Sequence, residues 1–323
     1  MSQRGTRGVG LVALLGVLGA GASCELNEAT GRRQLTLGGL SRSEELRLGA
    51  EAAPQLTAEF GGAVADAAAA GYMAEIGRAL AVHTEGDYPG IPWEFTLLDS
   101  PVFNAFALPG GKVFLSRGLA EAMTNEAQLA AVVGHEIGHV TARHTSERVA
   151  QGGLAQVLLQ GAAVGVSRAA GDPGTAQAAG VVLNMGGQGV LLKFGRDQES
   201  EADALGMRYM TKAGYNPRGA LELMRILERS GGGSAGGALG EFFATHPYPE
   251  TRIERISALL AGEYAQAAAD PARTLGQDRY RSRMLDRLAR LPSPRAAVGV
   301  GPADAAAWCA HCASELAAAT PAR

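Results

Sequence analysis

The chain has 323 residues, of which 46% are hydrophobic and 19% are charged. This composition excludes a disordered or collagen-like chain and leaves room for one large domain or two small ones. Its 29 basic and 32 acidic residues give a formal net charge of −3, so no basic surface is indicated and we expect no nucleic-acid partner. Three cysteines are too few for a disulfide scaffold.

Residues 1–23 have the layout of a bacterial secretory signal peptide. A positively charged segment precedes an apolar run at 9–20, and small residues then lead into Cys24. This pattern resembles a lipoprotein signal, in which Cys24 is lipidated and becomes the mature N-terminus. Gly21 stands where such signals usually carry leucine, so an ordinary cut after Ala22 and a buried N-terminal helix stay open. We expect a location in the periplasm or cell envelope, with an N-terminal lipid anchor holding the protein on the membrane.

Two helices and three strands are predicted in the first part of the mature chain, at 43–59, 63–83, 93–97, 102–108 and 112–116. Pro54 is expected to interrupt the first helix. The sequence Pro109-Gly110-Gly111 between the last two strands is a hairpin signal.

Helices dominate the remainder. Asn125, with Gln128 three positions later, predicts a capping box at the start of a helix that continues to about Val149. Further helices are predicted at 152–195, 197–213, from Asn216 onward, and at 250–262. The domains expected from this pattern are a signal peptide at 1–23, one domain at 24–265, and a helical, low-complexity C-terminal tail at 266–323.

A metal-binding pattern lies in the helix that follows Asn125. His135 and His139 flank an H-E-x-x-H motif, and residues four apart differ by only about 40° around a helix, so both imidazoles can reach one ion. Imidazole nitrogen suits zinc, which in catalytic sites takes three protein ligands and leaves a position for water. The carboxylate of Glu136 can reach that water and serve as its base. The alternative is a pair of surface or core histidines without a metal.

The third ligand is expected from the segment Glu199-Ser200-Glu201-Ala202-Asp203. Glu199 and Asp203 are four apart and share a helix face, so one can bind the ion while the other accepts a hydrogen bond from a ligand histidine. Glu201 lies about 200° around the helix from Glu199. The residue four positions after Glu201 is Leu205, whose side chain cannot orient a ligand histidine by a hydrogen bond. We favour Glu199 as the ligand and keep Glu201 as the alternative.

Three segments together resemble the HtpX/BepA-like zinc metalloendopeptidases. They read H-E-I-G-H-V-x-x-R-H at 135–144, E-x-E-A-D-x-x-G at 199–206 and N-A-F-A-L-P-G-G at 104–111. The family also contains the CAAX prenyl proteases and the Oma-type mitochondrial proteases. The resemblance extends over about residues 28–262 and is strongest to the soluble periplasmic branch.

This resemblance implies an α+β fold, mainly α, with a gluzincin-type metallopeptidase core and a small β-sheet or hairpin beside the active-site helix. It also implies one zinc ion per chain, held by His135, His139 and Glu199, with Glu136 as the catalytic base and Asp203 behind the ligands. His144 is expected either behind the ligands or at the surface.

Substrate-binding residues follow from the same resemblance. Asn104, Ala105, Phe106 and Ala107 correspond to an exposed edge strand that pairs with the extended backbone of a polypeptide substrate. An ordinary hairpin strand is the alternative.

His246-Pro247 and Arg252 resemble the family motif H-P-x-x-x-x-R, which implies catalytic roles for His246 and Arg252. His246 has two open roles: a fourth ligand that displaces water and silences the enzyme, or a group that stabilises the oxyanion. A packing role at the entry of a helix is the third possibility.

The sequence thus predicts a zinc-dependent endopeptidase of the cell envelope. By family analogy its substrates are unfolded or misassembled proteins. The alternative is a chaperone-like assembly factor whose zinc core stays closed. Cys309 and Cys312 form a C-x-x-C pattern in an Ala-rich tail, where we expect a terminal disulfide rather than a redox site.

Overall fold

The computed structural model describes residues 24–35, 40–150, 194–231, 246 and 250–294. The predicted signal peptide, the helices predicted within 152–193, and Cys309 and Cys312 lie outside the described residues. Among the helices that are described, none combines the length and apolarity needed to cross a membrane.

The described elements confirm a mainly helical α+β fold with two small sheets. In chain order they are β1 (Cys24–Leu26), β2 (Arg33–Leu35), α1 (Arg42–Glu59), α2 (Ala67–Ala81), β3 (Glu94–Leu98), β4 (Ala105–Leu108), β5 (Lys112–Ser116), α3 (Arg117–Ala122), α4 (Glu126–Thr141), α5 (Arg196–Lys212), α6 (Arg218–Gly231), α7 (Glu250–Ala261), α8 (Ala265–Ala269), α9 (Gln277–Tyr280), a π-helical turn (Arg281–Leu285) and α10 (Asp286–Leu288).

The larger sheet has the strand order β3-β5-β4. β4 and β5 form the predicted antiparallel hairpin, and its turn contains Gly110 and Gly111 at φ 77° and 85°, a conformation that favours glycine. β3 pairs in parallel with β5, so β5 is the central strand and β4 lies at an edge. The helices α1 and α4 pack against β4, and α2 packs against β3.

Helix α1 is continuous, and the predicted interruption at Pro54 is wrong. Its start is fixed by a capping box in which the Ser41 hydroxyl accepts from the Glu44 amide and the Glu44 carboxylate accepts from the Ser41 amide. An interior proline removes one intrahelical hydrogen bond and crowds the carbonyl group four residues earlier, so packing on both sides must offset this cost. Beyond it, Leu56 is buried in an apolar cluster with Phe106, which holds the last turn in place.

Helix α4 ends at Thr141, so the predicted continuation to about Val149 is wrong. Arg143 interrupts it with a left-handed backbone (φ 58°), and the chain becomes helical again from His144. The Arg143 guanidinium donates to the buried Glu45 carboxylate at 2.9 Å, and this ion pair between distant parts of the chain holds the break. At the other end of the helix, the Asn125 side chain accepts from the Gln128 backbone amide, as predicted, but the Gln128 side chain accepts from the Thr124 amide, so only half of the predicted capping box forms.

Residues 277–288, predicted as part of the C-terminal tail, pack into the same core as the residues before 265. Tyr280, Met284 and Leu288 are fully buried. The Tyr280 hydroxyl donates to the Ala120 carbonyl at 2.6 Å, and the Arg117 guanidinium donates to the Leu288 carbonyl at 2.9 Å. The sequence suggested a separate tail because most residues of this stretch are charged or polar. These residues lie toward solvent, while every fourth residue is buried.

The two helices that carry the predicted metal ligands touch at glycines. A Cβ atom on Gly206 of α5 would lie 2.7 Å from the backbone nitrogen of His135, and one on Gly138 of α4 would lie 2.9 Å from the Ala202 carbonyl oxygen. No side chain fits at such distances, so these positions require glycine. The close contact brings the backbone of α5 against the H-E-x-x-H segment of α4.

Candidate metal centre

The two motif histidines project from the buried helix α4 toward one point. Every residue of α4 is buried, and the Nε2 atoms of His135 and His139 lie 3.0 Å apart. Burial lowers the pKa of His139 well below its usual value and so favours the neutral imidazole that a metal requires. At His135 burial also lowers the pKa, but hydrogen bonds with Asp203 and Glu199 outweigh it and raise the pKa to about 9.

Glu199, and not Glu201, lies against these histidines. Its Oε2 is 3.5 Å from His135 Nε2, and its Oε1 is 3.4 Å from His139 Nε2. Glu201 instead pairs with Arg32, on the other side of α5. The helical argument that chose Glu199 thus identifies the glutamate that the structure places in the cluster.

His246 supplies a fourth donor atom to the same cluster. Its Nδ1 lies 3.0 Å from Glu199 Oε1 and 3.4 Å from His135 Nε2. Donor atoms of His135, His139, Glu199 and His246 all lie within 4.8 Å of one another. Tetrahedral zinc with ligands at about 2.0–2.2 Å places its donors roughly 3.3–3.6 Å apart, so the spacing of these groups and their nitrogen and oxygen chemistry fit a zinc ion.

Asp203 and Arg252 hold the ligands from behind. Asp203 Oδ1 is 2.9 Å from His135 Nδ1, and the Arg252 guanidinium donates to both oxygens of Asp203 at 2.8 and 2.7 Å. The same guanidinium forms an ion pair with Glu199 Oε2 at 2.8 Å. Burial raises the pKa of Asp203, but Arg252 outweighs it and brings the value to about 2. Arg252 contacts Asp203 and Glu199, and not the position where a substrate would bind. These are the contacts of a positioning residue and not of a catalytic one.

Glu136 is a buried carboxylate beside the cluster. It is 1% exposed, and within the described ranges neither of its oxygens has a hydrogen-bond partner. His246 Nε2 lies 3.7 Å from Glu136 Oε1. Burial raises the pKa of this carboxyl, which suits a group that accepts a proton near neutral pH.

The residues predicted to bind substrate lie on β4 and directly before it. β4 is an edge strand, as predicted, but it is not exposed: Asn104, Ala105 and Phe106 are 1–3% exposed, because α1 and α4 pack against the strand. Ala107 is only partly buried. The buried Asn104 Oδ1 has no hydrogen-bond partner in the part of the chain that is described.

Two further side chains contact His139. His144 is completely buried, so the surface alternative is wrong, and its Nδ1 lies 2.9 Å from His139 Nδ1. The ring of Phe194 stacks on the His139 imidazole, with centroids 4.0 Å apart. Sequence reasoning missed Phe194, because a single apolar residue five positions before Glu199 carries no signal of such a contact.

A buried helix with H-E-x-x-H and a glutamate from a second helix define the class of zinc metallopeptidases. The model of peptidase family M48 matches residues 67–260, more than half of the chain, and this range includes all four donor residues. The chain belongs to peptidase family M48. By family, it is classed as a metalloendopeptidase.

Named relatives agree with this class. The chain is 36% identical over 172 residues to the mitochondrial metalloendopeptidase OMA1 of Schizosaccharomyces pombe, covering 53% of this chain and 47% of that protein. It is 32% identical over 171 residues to the protein of the same name from Arabidopsis thaliana, covering 52% and 32%. It is 30% identical over 184 residues to the beta-barrel assembly-enhancing protease of Escherichia coli K12, covering 56% and 37%. The chain thus spans about a third to a half of the length of these relatives.

Proposed function

We propose that this protein is a zinc-dependent endopeptidase of the cell envelope that hydrolyses unfolded or misassembled proteins. The observation that carries the proposal is the convergence of His135, His139 and Glu199 beside the carboxylate of Glu136, whose oxygens accept no hydrogen bond from the described residues. A purely structural cluster is not expected to bury a carboxylate that accepts no hydrogen bond, since such a group is costly. A peptidase needs this feature, because its base must be available to a water molecule.

Each side chain of the cluster has a separate role in hydrolysis. His135, His139 and Glu199 would hold the ion. A zinc ion bound there polarises the scissile carbonyl group and lowers the pKa of water toward about 7. Glu136 accepts a proton from the attacking water and then donates it to the leaving amine of the cleaved peptide. Asp203 holds His135 in the tautomer that presents Nε2, and Arg252 keeps Asp203 and Glu199 charged and in position.

β4 is the edge strand of its sheet, but it is buried, so its position alone does not support a substrate class. The family resemblance implies that this strand pairs with the backbone of an extended polypeptide, largely regardless of its sequence. Unfolded proteins offer such segments and folded ones do not. The name of the Escherichia coli relative connects that protein with β-barrel assembly, in agreement with substrates among envelope proteins.

Digestion of casein tests this function. Wild type degrades casein, a zinc chelator stops the reaction, and zinc restores it. Glu136→Gln is inactive under the same conditions. Absence of any cleavage by wild type and by His246→Ala would instead favour the assembly-factor alternative, in which the zinc core does not hydrolyse peptides.

The position of His246 favours the role of an inhibitory fourth ligand over that of an oxyanion-stabilising group. We expect His246→Ala to retain one zinc per chain, because His135, His139 and Glu199 remain. Casein turnover should rise by about tenfold or more, since the gain equals the reciprocal of the fraction in which His246 has left the ion. Zinc content by mass spectrometry and initial rates of casein cleavage measure both quantities. Loss of zinc or unchanged turnover would reject this role, and lower turnover would indicate oxyanion stabilisation.

The proposed envelope location rests on residues 1–24 and predicts a lipid on Cys24. We expect wild-type protein from bacteria grown with labelled palmitate to carry the label and to sediment with membranes. Cys24→Ser should be unlabelled and should stay in the supernatant, while its casein turnover is unchanged. Intact-mass measurement of the mature N-terminus supplies the control: a chain that begins at Ser23 without lipid would establish the ordinary cut after Ala22 and contradict the anchor.

A further inference from the structure

The side of the His139 ring that faces away from the cluster contacts an ordered row of polar groups. His139 Nδ1 lies 2.9 Å from His144 Nδ1, and His144 Nε2 lies 3.0 Å from Glu201 Oε2. Arg32 holds both oxygens of Glu201, through Nε at 2.7 Å and Nη2 at 2.5 Å. His144 is fully buried, whereas Arg32 is about half exposed, so the row leads from the metal centre to the surface.

Only one arrangement of protons satisfies every contact in this row. His139 presents Nε2 to the cluster, so a neutral His139 carries its proton on Nδ1 and donates it to His144 Nδ1. His144 then carries its own proton on Nε2 and donates it to Glu201. The Arg32 guanidinium, which can only donate, holds both oxygens of Glu201, so the carboxylate at the end of the row accepts the proton of His144.

The two metal-binding histidines thus have parallel supports. Behind His135 stand a carboxylate and an arginine, Asp203 and Arg252. Behind His139 stands the same pair of groups, Glu201 and Arg32, with His144 inserted between the imidazole and the carboxylate. The helical argument set Glu201 aside as a ligand, and the structure agrees; Glu201 instead contacts His144, which follows the break at the end of α4.

We propose that His144 is a positioning residue for the metal centre: its Nδ1 accepts the Nδ1 proton of His139 and so fixes the tautomer in which His139 Nε2 faces the metal, while Glu201 and Arg32 fix His144. The inference rests on the proposed zinc site. Partners of this kind orient the ring and raise its basicity, and their loss costs about 10–100-fold in metal affinity.

The hairpin of β1 and β2 is part of this support. It carries Arg32, and two side-chain amides attach it to the C-terminal end of α4: Asn27 Nδ2 donates to the Thr141 carbonyl at 2.9 Å, and Gln34 Nε2 donates to the Ala142 carbonyl at 2.6 Å. The segment that directly follows Cys24 therefore braces the end of the helix that carries the motif histidines.

Two substitutions at position 144 separate orientation from packing. In His144→Asn the amide oxygen takes the place of Nδ1 and can still accept from His139. In His144→Gln the amide takes the place of Nε2, so it can reach Glu201 but offers no acceptor to His139. Both remove a buried imidazole, and we expect similar losses of thermal stability. We expect the zinc dissociation constant, measured by chelator competition, to rise by about 10–100-fold in His144→Gln and by less than about threefold in His144→Asn.

Nitrogen-15 NMR of the zinc-loaded wild type shows which ring nitrogen of each histidine carries the proton, and a role in packing alone does not determine this. We expect His139 to be protonated on Nδ1 and His144 on Nε2. Equal zinc affinities of the two variants, or a proton on His144 Nδ1, would overturn the positioning role while leaving the zinc site intact. Failure of wild type to bind zinc would overturn the proposed function, and the inference with it.

Discussion

Glu136→Gln should lose nearly all peptidase activity while it keeps zinc and stability. Removal of a general base costs about 10²–10⁴-fold in turnover. The same change removes a buried carboxylate whose oxygens have no hydrogen-bond partner in the described structure, so the free energy of unfolding should stay the same or increase. Initial rates of casein cleavage, zinc content and thermal melting measure the three quantities on the same preparation.

This combination of effects distinguishes a base from a structural residue. Glu126 provides a matched control, because it is also a buried glutamate but accepts a hydrogen bond from Tyr72 and pairs with Arg279, away from the cluster. We expect Glu126→Gln to lower stability, since it weakens this buried pairing, and to leave the turnover of the folded fraction unchanged. An active Glu136→Gln, or one that loses both zinc and stability, would contradict the assignment of Glu136 as the base.

Arg252→Gln is the substitution with the largest expected effect on stability. Arg252 is 4% exposed and neutralises two buried carboxylates, those of Asp203 and Glu199. Removing one partner from a buried ionic group costs about 3–5 kcal/mol, because the remaining charges stay in a medium of low polarity. For a domain of this size the loss corresponds to a decrease of roughly 6–20 °C in melting temperature.

The zinc dependence of this loss is informative. An added zinc ion compensates Glu199 but not Asp203, so it should restore only part of the stability of Arg252→Gln. Arg255→Gln is the control on the same helix: Arg255 is exposed, and its loss should change stability by no more than about 0.5 kcal/mol. Equal melting temperatures of the two variants would show that Arg252 does not neutralise the buried carboxylates.

The sequence predicts those parts of the site that depend on local spacing. His135 and His139 share a face because helix geometry requires it, and the capping residue Asn125 locates the helix that carries them. The choice of Glu199 over Glu201 follows from the same geometry together with the position of Asp203. Each of these inferences involves residues within one helix, where 3.6 residues per turn fixes which side chains are neighbours.

The features that sequence reasoning missed depend on contacts between distant segments. The break at Arg143 is held by Glu45, and the parallel pairing of β3 with β5 brings together strands that are separated by β4. The partnership of His144 with Glu201 joins residues 57 positions apart. No periodic pattern encodes such pairs, because they form only after the helices have packed.

A crystal structure of the purified protein with anomalous data collected on both sides of the zinc absorption edge tests the central claim most directly. The account predicts one anomalous peak per chain that appears only above the edge, about 2.0–2.2 Å from His135 Nε2, His139 Nε2 and a carboxylate oxygen of Glu199. A zinc-free cluster in protein supplied with zinc, or a peak that does not contact both motif histidines, would contradict it.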